Sequence, residues 1–405
     1  MFGATGFVGR LLARYLARTA PSGLRVGLAG RNIEALQSVR AGLQGDATAW
    51  PLLEADSRDA ASLTALARSA RLVVTTAGPY RRHGMGLVAA CCAEQSDYAD
   101  LTGEVLFMRE SAERFHHAAA EAGVRIVHAC GFDSIPSDLA ALLLHETARS
   151  RGAGTLCHTT CVVTSLRGSL SGGTFSSMKG QLDEMKREPG LRRVVGDPYA
   201  LSPDRDHEPS LGREADLDWV QHDAELGLWV GPFVMARANT RVVRRSNALQ
   251  EWAYGREFRY REVMGFGTGP VAPLRSAAAS VVLGGLVAGL SIAPSRAVLD
   301  RLLPKPGQGP SETTQRNGRF RFEVHTTTST GARLVATAAA RGDPGYAATS
   351  VMLGESALSL VVDRDRLPGG GGVLTPATAL GDVLVQRLRA AGHTYSVAGD
   401  AAARR

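Results

Sequence analysis

Met1-Phe2-Gly3-Ala4-Thr5-Gly6-Phe7-Val8-Gly9 opens the chain, with glycines at intervals of three and the apolar stripe Val8, Leu11, Leu12, Tyr15 and Leu16 directly behind them. The stripe has helical spacing, so the glycines form a tight turn into a helix N-terminus. Backbone amides and the helix dipole make such a turn a phosphate site, and glycines let the backbone approach a pyrophosphate closely. Residues Gly3, Ala4, Thr5, Gly6, Phe7, Val8 and Gly9 are therefore the expected dinucleotide loop. The buried strand that should precede the loop has only Met1 and Phe2 to form it. A central strand buries about five side chains at about 1.5–3 kcal/mol each, comparable to a domain's whole margin of about 5–15 kcal/mol. The expectation is a sheet lacking its first strand in the recorded chain, with the natural product beginning about 8–15 residues earlier.

Outward from the loop, apolar runs alternate with helical patterns as far as Gly131. Leu24–Ala29 and Leu72–Ala77 read as strands, the second covered on both faces, and Ile33–Leu43, Ala60–Ser69, Gly84–Gln95 and Val105–Ala122 as helices. This is a Rossmann-like, doubly wound parallel sheet over residues 1–132. Longer strand-like runs follow at Cys157–Ser165, Trp229–Arg237, Phe320–Thr328 and Leu334–Ala339. They place a second, mixed α+β domain at 133–375, for substrate or dimerisation. Within it the charged segment 183–225 reads as an exposed excursion. A C-terminal helix and strand are expected at 376–398 and a disordered tail at 399–405.

The residue ending the second strand distinguishes cofactors. An acid there binds a ribose 2′-hydroxyl, and an arginine accommodates a 2′-phosphate. Here Ala29-Gly30-Arg31-Asn32 offers Arg31, whose planar fork suits phosphate, so NADP(H) is expected over NAD(H), with Asn32 beside it. Asp56, at the end of the third strand, is a candidate adenine contact or else a helix cap. Ala77, Gly78 and Pro79 end the fourth strand, where small residues admit the nicotinamide, and Tyr80 is the adjacent proton-donor candidate. Asp133 and Ser134, in Gly131-Phe132-Asp133-Ser134-Ile135-Pro136-Ser137-Asp138, either face a substrate or cap the following helix. No tyrosine has a lysine four residues on, and no Gly-x-Ser-x-Gly or His-Glu-x-x-His motif occurs.

Composition bounds the remaining possibilities. The 405 residues are 44% hydrophobic with net charge +7, but the cations are almost all arginine and no basic stripe interleaves with aromatics. Nucleic-acid binding is not expected. Five cysteines include no Cys-x-x-Cys pair, which speaks against zinc or a redox pair, and no metal site is expected. With no signal peptide ahead of the first glycine the expected location is cytoplasmic. Ser276–Ser295 holds no charge and is flanked by Arg275 and Arg296, yet its four serines, three glycines and Pro294 make it a weak span. A helix that is buried or touches a membrane surface peripherally fits better.

These residues resemble the saccharopine-dehydrogenase-like oxidoreductases, and among them the trans-acting enoyl reductases of complex-lipid biosynthesis. The likeness rests on Gly3–Gly9, Ala29–Arg31, Thr76–Tyr80, Tyr98–Glu104 and Gly131–Asp138. It continues in Ser171–Thr174, Leu303–Ser311 and Gly342–Tyr346. The resemblance implies an NADP-binding domain, a second α/β domain, and reduction of an acyl or lipid-like chain, carrier-bound or free, with some relatives associated with membranes or lipid droplets; a homodimer is one expected assembly. Two other readings stay open: saccharopine-type chemistry on an amino-acid-derived secondary amine, and a non-catalytic NADP-binding protein at a lipid surface.

Overall fold

The computed structural model describes residues 1–168, 171–212, 214–302, 307 and 309–399. Its N-terminal third lays down five parallel strands, β1 (Leu28–Gly30), β2 (Leu52–Glu54), β3 (Leu72–Val74), β4 (Asp97–Ala99) and β5 (Arg125–Val127). β1, β4 and β5 are buried along their whole length, as strands covered by helices on both faces must be.

Residues 1–3 stand where a missing strand was expected. Phe2 makes parallel bridges to Ala29 and Thr75. Its N–H donates to Val74 O (2.8 Å) and its carbonyl accepts from Thr76 N–H (3.0 Å); on the other side Ala29 N–H donates to Met1 O (2.7 Å) and Gly3 N–H to Ala29 O (3.0 Å). The Phe2 side chain is buried. The centre of the sheet is thus filled, by a strand of minimal length, and the β1–β2 pair is joined to β3, β4 and β5 through it.

The second sheet contains β6 (Leu156–Arg167), β7 (Gln221–Asp223), β8 (Leu228–Pro232), β9 (Arg259–Gly267), β10 (Arg319–Thr328) and β11 (Arg333–Arg341). Near the C-terminus come β12 (Gly372–Leu374) and β13 (Thr394–Gly399). The sheet order is β13-β11-β10-β6-β9-β8-β7, with only β6 and β9 parallel. β10 alternates burial so that Phe320, Phe322, Val324 and Thr326 point inward. The helix Ile135–Ser150 packs on this face.

The two domains are more interwoven than the sequence boundaries. β12 leaves the second domain and pairs in parallel with β5, Gly372 opposite Arg125 and Leu374 opposite Val127. β13 joins the second sheet beside β11, so 376–398 is not a separate unit. A three-residue strand behind a run of glycines has too little periodicity to be seen in sequence. The tail beyond residue 399 lies outside the described residues. The strand expected at Trp229–Arg237 stops at Pro232, and a helix, Ala236–Leu249, begins four residues on.

That helix also ties down 183–225, an excursion many of whose charged side chains are exposed. Arg241, 1% exposed, donates to the carbonyls of Val195, Gly196 and Asp197 and pairs with Asp216, while Arg245 donates to Leu201 O and Val373 O, both at 2.6 Å. Buried guanidiniums tie the segment down by satisfying its carbonyls. Asp138, also fully buried, accepts from Ser246 Oγ and from Ala377 N–H (2.8 Å), locking the helix Pro376–Ala390 onto Ile135–Ser150.

Because the Phe2 side chain is buried at the sheet centre, Phe2→Ala is expected to cost about 3–5 kcal/mol of unfolding free energy, read by denaturant titration followed by circular dichroism.

Candidate dinucleotide and substrate site

Gly3 leaves the sheet with φ +81°, a conformation that glycine adopts without strain. The turn closes with Gly6 N–H donating to Gly3 O at 3.0 Å. A Cβ on Gly9 would lie 2.2 Å from Gly3 O, so only glycine permits this crossing of turn and helix. The helix Phe7–Thr19 starts at Gly6 with no side-chain cap and no acid in its first turn. Its N-terminal amides thus remain available to an anion, as a pyrophosphate requires.

At the adenosine end, Arg31 is exposed at the tip of β1 on the cavity wall. Asn32 is a helix cap, its Oδ1 accepting from Ala35 N–H at 2.9 Å. Asp56 accepts from the Arg58 guanidinium at 3.2 and 2.8 Å and from the Arg58 N–H at 2.9 Å, which bring its carboxyl down to about 2, and it is not among the cavity-lining residues. In its place the cavity wall has Ser57 and His83, joined Oγ to Nδ1 at 3.1 Å.

One cavity of about 880 Å³ runs from the glycine loop past Thr76–Tyr80, Leu101–Val105 and Asp133 into the second domain. There apolar side chains line much of its wall, Leu182 and Met185 from the helix Gly172–Arg187, Leu217, Val234, and Leu283 and Val287 from the helix Ala272–Ser291, with Gln181, Asp216, Asp218 and Arg237 among them. Asp133 faces the cavity, and a Cβ on Gly103 would lie 3.2 Å from its Oδ2. Enclosure by protein pushes its carboxyl up to about 7. Tyr80 also lines the cavity, but its hydroxyl donates to Thr75 O (3.2 Å) and its ring tilts against Phe107. Ser134 lies away from the cavity lining, fully buried, donating to Asn239 Oδ1 at 3.2 Å.

The family model for the saccharopine dehydrogenase NADP binding domain matches residues 1–127. A Mycobacterium tuberculosis protein named as a trans-acting enoyl reductase is 51% identical over 401 residues, covering 97% of this chain and 95% of its own length. A Mycobacterium bovis trans-acting enoyl reductase is 46% identical over 403 residues, covering 97% and 95%. The chain belongs to the trans-acting enoyl reductase family. Its fold is that of apo saccharopine dehydrogenase from Saccharomyces cerevisiae, with a TM-score of 0.53 at 13% identity over 98% of each chain. This family member is an NADP-dependent oxidoreductase.

The motifs that carried the resemblance converge on the cavity of this family member. Ser171 caps the helix Gly172–Arg187, accepting from Thr174 N–H at 3.0 Å, and Tyr346 meets Phe7 edge-on at 5.0 Å. Glu104 receives the N–H groups of Tyr80 and Arg81, both at 2.9 Å, and the Ser177 hydroxyl, pinning the loop after β3 to the second domain. Leu303–Pro306 and Gln308 lie outside the described residues. Glu104, Ser57 and His83 are among the lining residues that sequence reasoning did not propose for the site. Only the Tyr98–Glu104 motif carried a signal for one of them.

Gly9→Ala is expected to weaken NADPH binding about 10- to 100-fold, the equivalent of about 1–3 kcal/mol of overpacking, measured by quenching of intrinsic fluorescence.

Proposed function

We propose that the chain reduces the carbon–carbon double bond of an acyl chain brought by a partner synthase, and that Asp133 supplies the proton. The observation that carries this reading is the continuity of the cavity, dinucleotide loop at one end and apolar wall at the other. NADPH, when bound, supplies a hydride to the β-carbon. The apolar wall holds the chain and excludes water, and small residues at Ala77 and Gly78 leave room beside the loop. The Asp133 carboxyl delivers its proton to the α-carbon, so that one hydride and one proton together saturate the bond. A carboxylic acid shifted to about 7 is half protonated at neutrality, which suits a general acid.

Saccharopine-type substrates fit less well. Their carboxylates call for arginines, and among the described residues the cavity wall has Arg31, at the cofactor end, and Arg237, which is paired with Asp218 at 3.3 Å.

Because the acid acts protonated, turnover is expected to fall as pH rises through about 7. Asp133→Asn should lower kcat by about 10²- to 10⁴-fold while removing that dependence. The measurement is loss of NADPH absorbance with a carrier-bound enoyl chain. A wild-type rate in this variant would remove Asp133 from the mechanism, and no turnover on enoyl chains beside turnover on amino-acid and keto-acid pairs would restore the rival chemistry.

The helix Ala272–Ser291 extends the proposal to the source of the chain. One side of it bounds the cavity, whereas Leu274, Val281 and Val282 on the outside are 71%, 60% and 72% exposed. This outer face rests on a lipid surface, with the apolar cavity directly behind it. Flotation with phosphatidylglycerol vesicles should carry the protein, and Val281→Ser with Val282→Ser should release it. Failure to float, with a concentration-dependent dimer lost in the same variant, would assign the face to a second copy.

A further inference from the structure

We infer that Ser57 and His83 form, with Arg31, the receptor for the 2′-phosphate, and that His83 takes up a proton when that phosphate binds. The inference rests on the NADP(H) dependence established above and concerns how this chain recognises the phosphate.

The three side chains come from three different loops at one edge of the sheet: Arg31 after β1, Ser57 after β2, and His83 from the helix Tyr80–His83 after β3. All line the cavity at its dinucleotide end. Half-buried His83 is held by its Nδ1 on Ser57 Oγ, and its other ring nitrogen has no protein partner among the described residues. The charged groups around it are Arg31, Arg82, Arg58 and Asp56. Asp56, the one acid of the set, is already bound by Arg58. Arg31 and Arg82 have no ion-pair partner among the described residues. The surplus is positive, and the anion that a dinucleotide can place at the tip of β1 is the 2′-phosphate.

The chemistry of the pair follows from its donors. With Nδ1 unprotonated, Ser57 gives its hydrogen to the ring and has none for a ligand. When the ring takes a proton, Nδ1–H donates to Ser57 Oγ, and the serine hydrogen turns to the phosphate beside Nε2–H. Without ligand, burial and the neighbouring Arg31 and Arg82 hold His83 below its usual value, so it is neutral at pH 7. A dianion brought against it reverses that balance. Proton uptake on binding means that affinity for the 2′-phosphorylated ligand rises as pH falls.

The test compares 2′,5′-ADP with 5′-ADP by calorimetry at pH 7.5, in two buffers of different ionisation enthalpy. The expected result is proton uptake with 2′,5′-ADP that 5′-ADP does not show. His83→Gln, which keeps a hydrogen-bonding side chain without a titrating ring, should bind 2′,5′-ADP about tenfold more weakly with the uptake abolished and 5′-ADP binding unchanged. Equal weakening for both ligands, or no uptake by the wild-type protein, would overturn the inference. The wild-type measurement stands alone if the variant does not fold.

Discussion

The grip of the sheet on Phe2 is the constraint on which the site depends. Its two backbone hydrogen bonds to Val74 and Thr76, with Met1 and Gly3 bonded to Ala29, set β1 and β3 on either side of one short extended segment. The loops after β1 and β3 therefore leave the sheet beside Gly3, and the glycine turn opens between them. Were the register to slip by one residue, Phe2 would face the wrong side of the sheet and Gly3 would lose its place at the turn. The helix that the turn launches is secured at a distance: the Tyr15 hydroxyl donates to Glu355, which also pairs with Arg387 at 3.0 Å.

The cavity is shared between domains, so its shape depends on how rigidly they are joined. Two buried polar devices do this. Glu104 fastens the loop after β3 to Ser177 and Arg245 spans Leu201 and Val373, while within the second domain Asp138 fastens two helices through Ser246 and Ala377. Arg245 reaches only carbonyls, and burial lowers its guanidinium to about 10. Each group has its partners in place, which is the condition under which buried polarity can be tolerated. Removing a partner would leave the other stranded in a dry interior.

Much of the first domain was legible because its signals are local. Glycine spacing, the apolar stripe behind it, and strand–helix alternation all act within a few residues, and Gly3, Thr5–Gly9, Ala77–Pro79, Arg31 and Asp133 reach the cavity wall, whereas Ala4 is fully buried in the core. Asn32, Asp56 and Ser134 do not reach it, for a common reason. A short polar side chain at the end of a strand can serve a ligand or its own neighbourhood, and here a helix N–H, Arg58 and Asn239 claim them. Charge in 183–225 suggested solvent, and much of it is exposed, but Asp216 and the carbonyls of Val195, Gly196 and Asp197 face buried Arg241 from a helix some distance along the chain.

The amino-acid sequence by itself determined the dinucleotide loop, the parallel domain and the cofactor's phosphate-bearing end. Each depends on backbone geometry and side-chain type within one turn or strand. Only the tertiary structure decided that β12 returns to the first sheet, that the helix Ala272–Ser291 walls the end of the cavity away from the glycine loop, and that Ser57 meets His83. These pairings join residues far apart in the chain, and hydrophobic periodicity records that a face is buried without recording what buries it.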